Sequence, residues 1–264
     1  MEQKQKPVYS VVIPTYNEET REEEMKKHLK AIDDYFTDLG QLYETVIVLD
    51  GPTDKTPKLA KKHSAGLKNV RIIDRKKNKG KGYSVREGLL AAEGQIRLFT
   101  DMDGATPIYM LDRMIPKFQE GADIVIGSRD LDDSQVKVHQ PFWKEWLGSA
   151  GNLLIQAMTG LWGVKDTQCG FKAFTEKSVK DIIPRCTVNR WGLDFEILGI
   201  GNKLGYKLEQ VPVEWVDAGD SLVGISGYFT TLRDLFKFKL NMITGKYQLR
   251  KKVGEMKKTR CNLF

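Results

Sequence analysis

The sequence predicts an α/β fold, a mostly parallel twisted sheet flanked by helices, and three features point to it. Short runs rich in β-branched residues alternate with longer segments of helical character. Three of those runs are followed at once by clusters of Asp, Asn, Glu, Gly and Pro, and no internal repeat or low-complexity stretch interrupts the alternation. Alternation of this kind implies parallel strands joined by right-handed crossovers. The polar clusters then fall at the carboxyl ends of strands, where open α/β sheets take their ligands. With 264 residues, 41% of them apolar, the chain is long enough to bury a core of ordinary size.

In order, residues 9–13, 44–49, 70–73, 96–100 and 124–127 read as buried strands. Residues 21–39, 56–65, 81–92 and 109–119 read as the helices between and after them. After Arg129 the pattern changes to a long helix-like segment at 142–160, a polar knot at 166–172 and a late strand at 208–215. The end differs again. Tyr228, Phe229, Leu232, Leu235, Phe236, Leu240 and Ile243 recur near helical spacing, with Arg233, Lys237 and Lys239 between them. An interfacial helix and a helix packed on the preceding domain fit this equally, because amphipathicity alone does not separate them. The expected division is a main domain at 1–225 and an amphipathic helix with a basic tail at 226–264.

Charge is unevenly placed. Seven Lys/Arg against the single acid Glu255 fall within 246–264, so the tail carries nearly all of the net charge of +7. A nucleic-acid-binding protein spreads positive charge over a folded face, and that class is not expected here. A basic tail suits an anionic membrane surface. Cys169, Cys186 and Cys261 have no metal-type spacing and cannot all pair, which fits a reducing compartment, the cytosol. The N-terminus lacks the apolar region of a signal peptide, and no apolar run approaches the roughly 20 residues that span a bilayer. A protein that neither crosses a membrane nor leaves the cell is expected.

Asp101 and Asp103, in LFTDMDGAT, place two carboxylates at the end of an apolar strand, an arrangement suited to a hard divalent cation. With 19 Asp in the chain the spacing alone arises by chance, so the weight lies on its context: a buried strand before it and Gly104 after it. Pro14-Thr15-Tyr16-Asn17-Glu18 and Asp50-Gly51-Pro52-Thr53-Asp54 offer carboxylates and turns to a nucleotide, although turn chemistry plus a helix N-cap explains either alone. Asn78-Lys79-Gly80-Lys81-Gly82 sets two lysines before a helix, as a phosphate site or as an ordinary surface turn. Arg129 fits a phosphate contact or a salt bridge with Asp130 or Asp132. Trp191 fits sugar stacking or a core position. For Asp194 and Glu196, base, sugar ligand and helix start all remain open.

Together and in this order, PTYNE, the Asp50 turn, NKGKG and DMDGAT resemble the family-2 glycosyltransferases of GT-A fold. GSRD at 127–130, DTQCGFK at 166–172 and RWGLDFEIL at 190–198 resemble the dolichyl-phosphate β-glucosyltransferases, and more distantly the dolichyl-phosphate mannose synthases. The resemblance implies a GT-A catalytic domain at 1–225. It implies that Pro14, Tyr16, Glu18 and Asp50 hold base and ribose, that Lys81 faces the nucleotide-sugar, and that Asp101 and Asp103 hold Mg²⁺ or Mn²⁺ on the diphosphate. Arg129 and Lys144 would contact phosphates, although the family often has Arg at the latter position. Asp166, Gln168, Trp191, Asp194 and Glu196 would shape the sugar and acceptor side. Mannose synthases usually show Asp-x-Asp-x-Gln, whereas Ala105 here favours the glucosyl branch. The implied activity is inverting transfer of glucose from UDP-glucose to dolichyl or polyprenyl phosphate at the cytoplasmic face of a membrane. GDP-mannose or UDP-N-acetylglucosamine as donor, or nucleotide-sugar binding without catalysis, are the alternatives. A hydroxyl acceptor would require a base, with Asp194 or Glu196 as candidates. A phosphate, anionic at neutral pH, requires chiefly positioning.

Overall fold

The structure, a computed structural model, describes the backbone of residues 5–136, 142–216 and 225–249, and the side chains of these apart from 136, 142–150, 225, 226 and 228. Its strands are β1 (Tyr9–Thr15), β2 (Tyr43–Asp50), β3 (Val70–Arg75), β4 (Ile96–Thr100), β5 (Ile124–Ser128), β6 (Gln135–Val136), β7 (Phe171–Thr175), β8 (Leu208–Pro212) and β9 (Glu214–Trp215). Seven of them form one sheet in the order β3-β2-β1-β4-β7-β5-β8, and β6 pairs with β9. Within the seven, β7 runs antiparallel to both its neighbours and every other pairing is parallel. The helices are α1 (Glu22–Leu39), α2 (Thr56–Ser64), α3 (Lys81–Ala91), α4 (Leu111–Gln119), α5 (Phe142–Thr159), α6 (Glu176–Ile182), α7 (Leu193–Leu204) and α8 (Ile225–Ile243).

The sheet is buried on both faces, so its strands read as continuous apolar runs. Val11 and Ile13 of β1 point into one core layer with Met25, Leu29, Ile32 and Phe36 of α1, and with residues of α2 and α4. Val12, between them, points into the opposite layer with Val85 and Leu89 of α3 and with α6 and α7. The spacing of the four α1 residues keeps one helical stripe inward, and Gly40, at φ 65°, ends that helix in the left-handed conformation. Gly88 lets α3 press on the sheet, since a Cβ there would lie 2.3 Å from Val12 Cγ1.

Three differences from the sequence expectations concern elements after Arg129. The knot at 166–172 runs directly into β7, a central strand hidden by its polar approach and by Lys172 in its middle. The expected strand at 208–215 is two strands, because Pro212, with no N–H, ends β8 and the chain turns to pair with β6. The helices α6 and α7 follow β7, and α7 carries Asp194 and Glu196 in its first turn.

The amphipathic segment forms α8, which packs on the second core layer through Leu235 and Phe238, with Tyr247 beyond it. Its other side exposes Phe229, Leu232, Phe236, Leu240 and Ile243. Lys239 Nζ donates to the Met158 carbonyl at 3.4 Å, tying α8 to the end of α5. Among the described residues no helix is long and apolar enough to cross a membrane. The basic tail from 250 onward lies outside the described residues.

Candidate active site

Because β1, β2, β4 and β5 are parallel and β7 is antiparallel, the ends of the first four and the start of the last share one sheet edge. The loops carrying PTYNE, Asp50, DMDGAT, Arg129 and DTQCG therefore meet there. The first two are fastened together: Asn17, at φ 50°, accepts at Oδ1 from Thr53 N at 2.9 Å and donates through Nδ2 to Thr53 Oγ1 at 3.2 Å. Glu18 N donates to Thr56 Oγ1 at 2.7 Å, and Glu19 N to Asp54 Oδ2 at 3.0 Å. Pro14 is half-buried within β1, and Tyr16 stands exposed at the rim.

Asp50 is buried and accepts from Lys79 N and Gly80 N, each at 2.8 Å, and from the Arg75 guanidinium. These donors take both oxygens, so in this structure Asp50 shapes the NKGKG turn. The turn is clamped on two sides. A Cβ on Gly51 would lie 2.6 Å from the backbone of Lys77 and Asn78, and one on Gly80, at φ 100°, 2.3 Å from the Asn189 carbonyl. Tyr83 N donates to that same carbonyl at 3.1 Å. Lys81, the first residue of α3, is thereby aimed at the acids: its Nζ is 2.6 Å from Asp101 Oδ1 and 5.4 Å from the Trp191 ring centre.

Three carboxylates gather at this point. Arg21 stands 3.7 Å from Glu18 Oε2 and 3.9 Å from Asp103 Oδ2. Burial pushes the Glu18 carboxyl up to about 7, with Arg21 opposing and Asp103, Asp101 and Asp54 adding to the rise. Burial and then Asp101 likewise raise Asp103, whose Oδ1 accepts from Ala105 N at 3.1 Å across the Gly104 turn. Beneath that turn lies His28, buried, its Nε2 without a hydrogen-bond partner among the described residues. The other side of Asp101 is just as close-fitting: a Cβ on Gly170 would lie 2.1 Å from Asp101 Oδ2. Among the described residues no three His, Cys, Asp or Glu side chains are arranged to hold a metal by themselves. Asp101 and Asp103 offer the oxygen donors that a hard divalent cation takes, and burial disfavours the bare charge on Asp103.

On the far side of the cleft, Asp166 is buried and grips Arg129 through three bonds, from Nε at 2.7 Å, Nη2 at 3.1 Å and the backbone N–H at 3.2 Å. Its Oδ1 also accepts from Gln168 N at 3.0 Å and Cys169 N at 3.1 Å, so Asp166 braces Arg129 and the turn together. The pair holds Arg129 positive: burial alone would lower its pKa, and the neighbouring Asp166 charge raises it instead. Its guanidinium lies 5.3 Å from the Trp215 ring centre. Lys172, fully buried, donates to the Cys169 carbonyl and, at 2.5 Å, to Asp194 Oδ1.

Glu196 does not join this group. Residues two apart on a helix point about 200° away from each other, and Glu196 faces the other way, fully buried. It accepts from Thr187 N, Thr187 Oγ1 and Val188 N, each at 2.9 Å, and from Tyr247 Oη at 2.8 Å. In this geometry it braces the 187–188 loop against Tyr247. Gln168 and Trp191 are half-buried at the cleft, and Lys144 lies on α5 with its side chain outside the described residues. Nothing in the sequence points to Arg21, whose second partner Asp103 is distant in the chain, or to Arg75, which meets Asp50 from the next strand. Gly170 and Lys172 lie inside the DTQCGFK string, and their packing role had no local signal.

The family model for glycosyl transferase family 2 matches residues 10–183. Over 249 residues the chain is 34% identical to dolichyl-phosphate beta-glucosyltransferase ALG5D of Trichomonas vaginalis, covering 89% of this chain and 75% of that protein. It is 30% identical over 257 residues to the Homo sapiens dolichyl-phosphate beta-glucosyltransferase, covering 91% and 77%. Among solved structures, glucosyl-3-phosphoglycerate synthase from Mycobacterium tuberculosis, in complex with Mn²⁺, UDP and phosphoglyceric acid, superposes with a TM-score of 0.63 at 17% identity, covering 93% of this chain and 80% of that one. A likeness at that identity speaks to the fold alone. From the matched family model, the relatives and the sheet edge together, the chain belongs to glycosyl transferase family 2 and is a glycosyltransferase of GT-A fold.

Proposed function

We propose that this glycosyltransferase moves glucose from UDP-glucose to the phosphate of dolichol or another polyprenol, with inversion at the anomeric carbon and with Mg²⁺ or Mn²⁺ on the donor diphosphate. The observation that carries the reading is the identity of 34% and 30%, along 89% and 91% of the chain, to proteins named dolichyl-phosphate beta-glucosyltransferase. The acceptor side supports it. Asp166 is saturated by Arg129 and its own turn, Asp194 is paired with buried Lys172, and Glu196 is turned away. A hydroxyl nucleophile would need one of these carboxylates free as a base, whereas a phosphate arrives already ionised.

The loops of Pro14, Tyr16 and Glu18 receive the base and ribose, with Asp50 fixing the turn beside them. Lys81 and the start of α3 face the diphosphate. Asp101 and Asp103 would hold the cation, which when bound supplies neutralisation of the charge that develops on the leaving diphosphate. Gln168 and Trp191 line the sugar side. Arg129, kept rigid by Asp166, orients the acceptor phosphate on the face opposite the leaving group, with Lys144 as a second cation. Attack in line then inverts the anomeric centre. The segment 226–264 follows the catalytic domain 1–225 as its means of approach to the cytoplasmic face of a membrane. The outward apolar stripe of α8 and the basic tail support that part.

The test is transfer from a panel of UDP- and GDP-sugars to dolichyl phosphate in micelles, with Mg²⁺, Mn²⁺ or EDTA, and with Asp103→Ala as control. Glucose transfer that is lost with EDTA and in folded Asp103→Ala is the expected result. Transfer from GDP-mannose instead would overturn the donor, and no transfer to any lipid phosphate would overturn the acceptor.

A further inference from the structure

We propose that Lys81 is the resident counter-ion of the acidic cluster, leaving Asp101 for the donor diphosphate when nucleotide and divalent cation arrive together; this rests on the nucleotide-sugar reading above. The ammonium sits 2.6 Å from Asp101 Oδ1, on one of the carboxylates proposed to hold the cation. Asp103 and Asp194 lie near enough to act on its charge as well. A second cation, Arg21, stands against Glu18 and Asp103 at 3.7 and 3.9 Å. Lys81 is in direct contact with Asp101.

The lysine is also built to move while its backbone is not. Gly80 N is fixed to Asp50 and Tyr83 N to the Asn189 carbonyl, so the start of α3 cannot follow a ligand. The flexible four-carbon stem can, and the half-buried Trp191 ring, 5.4 Å from Nζ, lines its path. A bare divalent ion and the ammonium compete for the same oxygen. The bare ion must drive the lysine out among charges with no anion to receive it. An ion that arrives with a diphosphate brings the lysine a new partner. Metal alone is thus held weakly and metal with nucleotide strongly, so the two bind as a unit.

Lys81→Met keeps the stem and removes the charge, which separates the two effects. Mn²⁺ binding is measured without nucleotide by electron paramagnetic resonance and calorimetry, and UDP binding is measured in saturating Mn²⁺. Mn²⁺ alone is expected to bind Lys81→Met at least tenfold more tightly than wild type and to raise its melting temperature more. UDP in saturating Mn²⁺ is expected to bind the variant at least tenfold more weakly. Lys81→Arg is expected to restore weak binding of the bare ion. Bare Mn²⁺ binding that is unchanged or weaker in Lys81→Met overturns the counter-ion role while leaving the nucleotide-sugar reading intact. Failure of wild type to bind UDP at any Mn²⁺ concentration overturns both. Should Lys81→Met not fold, Lys81→Gln carries the same comparison.

Discussion

Replacing Gly170 by alanine probes the fit around Asp101 with a single methyl group. The added carbon would stand 2.1 Å from Asp101 Oδ2 and 2.9 Å from its Cγ, whereas ordinary contact begins at about 3.4 Å. More than an ångström must be found. The turn itself cannot supply it, because Asp166 holds it at Gln168 N and Cys169 N while Lys172 holds the Cys169 carbonyl. The carboxylate therefore yields, swinging off its rotamer at a stability cost of about 1 kcal/mol. Activity suffers more. A displacement of about 1 Å in a positioned group costs on the order of 10²-fold in rate, or about 3 kcal/mol. Steady-state transfer kinetics beside a thermal melt separate the two quantities: kcat/KM for the donor falls about a hundredfold while the melting temperature drops by only a few degrees. A folded Gly170→Ala enzyme with wild-type kcat/KM would refute the claim that this glycine keeps Asp101 in place.

Asp166→Asn removes the charge that faces Arg129 and leaves a half-buried guanidinium under-compensated. With Arg129 partly in solvent, breaking the pair costs about 2 kcal/mol, below the range for a fully buried one, to be read as a lower urea midpoint together with a raised KM for the acceptor. His28 gives a pH signature. Burial holds its folded-state pKa down at about 4, against an ordinary value near 6.5, with Asp101 opposing only in part. The unfolded chain thus takes up a proton that the fold refuses. Stability is full above pH 6.5 and declines by about 3 kcal/mol as pH falls toward 4, and urea melts across that window should lose this slope in His28→Gln. Truncation after Leu249 removes six Lys/Arg and keeps buried Tyr247. Each basic residue near an anionic bilayer contributes about 1 kcal/mol, so co-sedimentation with anionic vesicles should drop at least tenfold, and Phe236→Ser with Leu240→Ser should lower it further in neutral vesicles.

The sheet was legible because burial on both faces writes each parallel strand as an unbroken apolar run. The strand expected at 96–100 has those bounds in the structure, and the other four of the first five runs differ by one or two residues at their ends. The central strand β7 was not legible, since an apolar-run criterion passes over Phe171-Lys172-Ala173-Phe174, whose lysine is buried only because Asp194 arrives from α7 to meet it. The same limit separates the site residues. Asp101, Asp103, Lys81 and Arg129 stand beside strand ends, where local pattern is enough to draw attention to them. Whether a carboxylate faces the cleft or braces the fold depends on partners far along the chain. Glu196 finds Tyr247, Asp166 finds Arg129 and Asp50 finds Arg75. No spacing rule distinguishes these from Asp103.

The bond from Tyr247 to Glu196 also sets where the last segment of the chain begins. Glu196 holds the loop at Thr187 and Val188, and that loop continues to the Asn189 carbonyl that receives Tyr83 N beside the Gly80 turn. The departure point of the tail and the donor-side turn are therefore two ends of one short strut, although more than 160 residues of chain separate Gly80 from Tyr247. Residues after Leu249 start from a fixed post. The bonds of the strut all lie before that post, so changes of sequence after Leu249 leave the donor-side turn as it is.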